Sequence, residues 1–89
     1  MSAQEGAVAI PPVEDVVSEL VATLALCAHA YLEPTEEGKE PDLASASIAI
    51  DTAAEAFARI SSRLKTEQHA ALSSLLTDIR MTFVRKRGA

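Results

Sequence analysis

Leu43, Ala46, Ile50, Ala53, Phe57, Ile60 and Leu64 recur at alternating steps of three and four residues. That spacing puts all of them on one narrow stripe of an α-helix, a pattern that a strand cannot keep. A helix with such a stripe buries it against other helices, which points to an all-α architecture. Two members of the ladder are alanine, so a neighbouring helix can come close.

Size decides what else the ladder needs. At 89 residues the chain is a single small domain, 48% hydrophobic but only 3% aromatic. Its core is thin, and domains of this size draw on disulfides, metals or oligomerisation. Cys27 is the one cysteine, so no disulfide forms within the chain, and its apolar neighbours predict a small buried hydrophobe. His29 falls on a different helix face from Cys27, and His69 is isolated, so no zinc spacing exists and neither metal nor cofactor is predicted. Oligomerisation remains. The net charge of −5 argues against a nucleic-acid-binding domain as a whole. Met1 to Ile10 lacks both a basic residue and a long apolar run, so no signal peptide is read there and a cytoplasmic location is expected.

Residues 1–12 end in Pro11-Pro12 and read as a flexible tail. Residues 13–85 read as one helical domain, and 86–89 as a short basic tail. The first helix is expected over about 13–32, with Pro12 in its first turn and Glu14 and Asp15 at the positive end of its dipole. Val13, Val17, Leu20, Leu24, Cys27 and Tyr31 form a ladder along it. Val16, Val21, Ala22, Ala25, Leu26 and Ala28 cover its other faces, so the helix is apolar almost all round. Such a helix is buried on several sides or membrane-associated. Its uninterrupted apolar runs are shorter than the roughly 20 residues of a bilayer span. Its flanks, Glu14, Asp15, Glu19 and Glu33, are acidic where an interfacial anchor is basic. Burial against a second subunit is the preferred account.

Pro34 and Pro41 bracket an acidic, turn-rich loop around Gly38 that lacks the ligand pattern of a calcium loop. Asp42 is a candidate N-cap for a second helix over about 42–64. The apolar positions then slip phase: Leu72, Leu75, Leu76, Ile79 and Phe83 stand one residue off the continued ladder. The slip places a tight turn at Lys65, with Thr66 capping a third helix over about 66–85, against the alternative of a single helix from Asp42 to Val84. The last two helices then form an antiparallel hairpin. Asp51 and Arg80, nearly equidistant from Lys65, come to one level as a candidate register-fixing ion pair.

Chemistry-bearing constellations are sparse. No nucleophile elbow and no Gly-rich phosphate loop occurs, and no enzyme is predicted. Arg85, Lys86 and Arg87 could contact nucleic acid, but three cations at a helix carboxyl end also complement its dipole, which is the preferred reading.

From Glu33 to Val84 the chain resembles a small bacterial family, domain of unknown function 1844. The likeness rests on Asp42-Leu43 with Ala46, on Ile50-Asp51, and on Leu75-Leu76-Thr77-Asp78-Ile79-Arg80-Met81-Thr82-Phe83. Where that family carries a glycine-containing turn between its last two helices, this chain has Arg59-Ile60-Ser61-Ser62-Arg63-Leu64. The resemblance implies a small helical fold and no activity.

The expectation is a three-helix, all-α module that self-associates, as a homodimer, into a helical bundle and presents a surface to a protein partner. Val16, Val17, Leu20, Val21, Leu24 and Tyr31 are the expected interface. Nucleic-acid association through the basic end is the alternative.

Overall fold

The computed structural model describes residues 9–88; the part of the expected tail at 1–8 lies outside the described residues, and Ile10 projects into solvent, 91% exposed. Three helices follow: α1 (Val13–Leu32), α2 (Leu43–Ile60) and α3 (Thr66–Arg87). A 3-10 turn, Ser61–Arg63, extends the end of α2. No strand occurs among the described residues.

Local chemistry sets each helix end. Pro12 precedes α1, and its carbonyl accepts from the amides of Asp15 (3.0 Å) and Val16 (3.3 Å). The Asp42 side chain accepts from the Ser45 amide at 3.0 Å, while the Ser45 hydroxyl donates to its second oxygen at 2.7 Å. Asp42 is thus the N-cap of α2. Its own amide donates to the Tyr31 carbonyl (2.9 Å), which ties the start of α2 to the last turn of α1. In between, Gly38 takes φ +82°, where a side chain would be strained.

The turn at Lys65 exists, and it works without glycine. Leu64 donates its amide to the Ser61 carbonyl at 3.3 Å, and Leu64 and Lys65 then run extended (φ −88° and −69°) into α3. No residue of the turn needs positive φ, so it forms without glycine. Two expected details are corrected. The N-cap of α3 is Lys65, not Thr66. The Gln68 side chain accepts from the Lys65 amide at 3.2 Å, whereas the Lys65 ammonium has no acceptor to return, so only half of a capping box forms. Further on, α3 continues through Arg87, so Lys86 and Arg87 are helical rather than part of a tail.

Ion pairs report the direction of the helices. Arg63 Nη2 lies 3.2 Å from Glu14 Oε1, joining the end of α2 to the start of α1; it is a charge contact without hydrogen-bond geometry. Lys86 Nζ lies 2.9 Å from Glu33 Oε1, joining the end of α3 to the end of α1. α2 therefore runs antiparallel to both neighbours, and α1 and α3 run parallel.

The core is small and rich in alanine. One cluster gathers Ala28, Leu32, Ala46, Ala49, Ile50 and Ile79, and a second gathers Val21, Ala53, Leu72 and Leu76. Every member of the α2 ladder is buried or half-buried. α1 departs from expectation. Its buried stripe is Val21, Ala25, Ala28 and Leu32, next to the predicted ladder rather than on it. Val13, Leu20, Cys27 and Tyr31 of that ladder are exposed, so the Cys27 thiol is no core hydrophobe. The reason is steric: Ala28 lets α1 settle closely onto Ala46 and Ala49 of α2, with Val21 against Ala53, and larger side chains there would hold the helices apart.

Ala53 is fully buried. Ala53→Leu is expected to overpack the seam and cost about 1–3 kcal/mol in urea denaturation; an unshifted midpoint would mean that close approach is not needed there.

Two exposed carboxylates give the fold a pH dependence. The Ser45 hydrogen bonds hold Asp42 below its ordinary value, and the Lys86 hydrogen bond and charge do the same for Glu33. A depressed folded-state pKa contributes stability above the unfolded value, and that stability is lost as pH falls through the folded value. The melting temperature should therefore decline on acidification below about pH 5, and less steeply in Asp42→Asn/Glu33→Gln. Parallel declines would exclude these two groups.

Candidate interaction surface

The predicted interface residues do not stay together. Val21 is fully buried inside the subunit, and Val17 and Leu24 pack half-buried against its core. These three hold α1 to its own bundle, so they are corrected as contact residues for a second chain. Val16, Leu20 and Tyr31 remain accessible, at 50%, 46% and 41%. Val13 joins them on that side of α1. The adjoining cleft between α1 and α2 is lined by Cys27, Tyr31, Ile48 and Thr52, and Ile48 adds an apolar side chain that is 69% exposed.

The other flank of α1 was not singled out from sequence. Leu26, 72% exposed, is the most accessible large hydrophobe on the helix. It borders a groove of about 490 Å³ between α1 and α3, to which Ala22, Ala25, Leu75 and Ile79 also contribute. His29, Asp78 and Thr82 add polar atoms to the lining. The signal was present in the all-round apolarity of α1: a helix covered on two sides must leave its remaining apolar residues in view. Leu75, expected in the α3 stripe, sits here half-accessible, while Leu72, Leu76 and Ile79 are buried.

The basic end is largely occupied within the subunit. Arg85 Nη2 donates to Thr82 Oγ1 at 3.1 Å, Lys86 pairs with Glu33, and the Arg87 guanidinium lies 5.7 Å from the centroid of the Phe83 ring. Each cation thus has a local partner that a phosphate would have to displace. Asp51 and Arg80 do line one cleft between α2 and α3, as the register argument requires. They form no ion pair, which corrects that expectation: both are solvent-exposed, where hydration competes with a pair.

By length and composition alone, α1 is long and apolar enough to cross a bilayer when its full 20 residues are taken together, and 22% of its most apolar window is buried in the bundle. Among the described residues, no group of three or more His, Cys, Asp or Glu side chains gathers as a metal site. Comparison with family models, with curated proteins and with solved structures finds no match, so the family resemblance rests on the quoted residues alone.

Proposed function

We propose that this chain is a helical self-association and protein-interaction module, homodimeric, with α1 as its contact helix. The observation that carries the reading is the exposure of Val13, Val16, Leu20, Leu26 and Tyr31 on a single helix of a domain whose core has few large side chains. Leaving these groups in water forgoes roughly 25 cal/mol for every Å² of apolar area that a partner could cover. For a domain this small, intersubunit burial supplements what its own core provides. The role asks for no cofactor and no catalytic group. Association with a second copy fits a chain that offers apolar area on both flanks of one helix.

Light scattering tests the reading on the full chain. The wild type is expected at twice the chain mass, and Leu20→Glu/Leu26→Glu at the chain mass, with far-UV circular dichroism unchanged because both side chains are exposed. Leu24→Glu is a poorer probe, since Leu24 packs on both core clusters and its loss would confuse unfolding with dissociation. A monomeric wild type, or a double variant that keeps the dimer mass, rejects the proposal.

A further inference from the structure

We infer that the groove between α1 and α3 receives a basic amphipathic helix of a partner protein, running antiparallel to both. The inference rests on the protein-interaction part of the reading above and gives that partner its chemistry. It leaves Val13, Val16, Leu20 and Tyr31, on the other flank of α1, for the second copy. Three observations converge on it.

Topology supplies the first. α1 and α3 run parallel, and α2 packs antiparallel against both. An up-and-down four-helix bundle has the same order, with its parallel helices across a diagonal and an antiparallel helix at each remaining corner. α2 fills one of those corners. No residue of α2 lines the α1–α3 groove, so the groove lies at the other. A helix seated there runs antiparallel to α1 and α3, and its dipole opposes theirs.

The lining is the second. Ala25 and Ile79, 3% and 5% exposed, form the floor, and Leu26 and Leu75, 72% and 37% exposed, stand at the sides. A cleft of about 490 Å³ between two helices takes the apolar stripe of a third, whose anchors recur at three and four residues. A strand has no such place, because no sheet edge exists among the described residues.

Charge is the third, and it sets both the sign and the direction of the ligand. Asp15, Glu19, Ala22, Leu26 and His29 follow at steps of four, three, four and three, so the two acids continue the α1 wall of the groove. On α3, Glu67 and Arg85 stand three turns before and two turns after Asp78, on the same edge. Asp15, Glu19, Glu67 and Asp78 are exposed and have no ion-pair partner among the described residues. Against them stands Arg85, whose guanidinium already donates to Thr82 Oγ1. Lysines flanking the apolar stripe of a ligand therefore meet four carboxylates. Three of these, Asp15, Glu19 and Glu67, lie toward the amino ends of α1 and α3. The carboxyl end of an antiparallel ligand falls there, where lysines also complement its own dipole. From Asp15 to His29 the wall is about 21 Å long, room for about four helical turns.

Fluorescence anisotropy on the full chain, with a labelled synthetic helix, tests the assignment. The probe is a peptide of about 16 residues with a leucine stripe at three- and four-residue steps and lysines on its flanks. It is expected to bind one per chain, at least about tenfold more tightly than the same peptide with glutamate for lysine. Glu19→Lys/Asp78→Lys should raise its Kd about tenfold. Glu40→Lys/Glu55→Lys changes the net charge equally but lies off the groove, and should leave Kd within about twofold. Leu26→Glu should abolish binding with far-UV circular dichroism unchanged. A peptide with lysines only in its carboxyl-terminal half should bind more tightly than one with lysines only in its amino-terminal half. Equal losses in the two charge pairs, or binding that survives Leu26→Glu, overturn the groove as the site. A preference for amino-terminal lysines overturns the antiparallel seat. A probe that splits a dimer into monomers shows a second copy in the groove and overturns the partner helix. Light scattering of the peptide-free chain scores self-association separately: a monomeric wild type rejects the dimer and leaves the groove standing.

Discussion

Alanine at the contact between α1 and α2 is the constraint from which the rest of this structure follows. Ala28 packs with Ala46 and Ala49, and Val21 with Ala53, all at or below 5% exposure. Small side chains contribute little transfer free energy each, and close approach replaces some of it with backbone and neighbour contacts. The tie from the Asp42 amide to the Tyr31 carbonyl then seals the end of the pair. With Val21, Ala28 and Leu32 spent on this contact, Val13, Val16, Leu20, Leu26 and Tyr31 of α1 are left outward. α3 rests on what remains, with Leu72, Leu76 and Ile79 reaching the shared core. The groove beside α1 and the exposed Leu26 are two results of the same choice.

The same constraint separates what the sequence made legible from what it did not. The α2 stripe could be read directly, because polar residues stand between its apolar steps and only one phase buries them. The break after Leu64 was legible as a slip of that phase, although the extended pair Leu64-Lys65 that makes the turn leaves no compositional trace. α1 was ambiguous for a physical reason. A helix apolar on every side has no face of its own, and which stripe goes inside is decided by the helix it meets. Side-chain size pointed to Leu20, Leu24 and Tyr31; proximity selected Val21, Ala25 and Ala28. Leu26 was missed as a contact residue for the same reason.

Charge follows a second logic, laid over the packing. The acidic first part and the basic last part of the chain are brought side by side by the parallel course of α1 and α3, yet few of their charges meet. Glu33 takes Lys86 and Glu14 takes Arg63. Asp15 and Glu19 on α1 have no ion-pair partner among the described residues, and Arg85 spends one hydrogen bond on Thr82. Surface charges left apart in this way add little to stability within one subunit.

In the proposed dimer, association and folding are coupled. A partner that binds only the folded form adds stability that grows with the logarithm of its concentration, about 2.7 kcal/mol at one hundred times the Kd. That is a large share of what a small single core supplies.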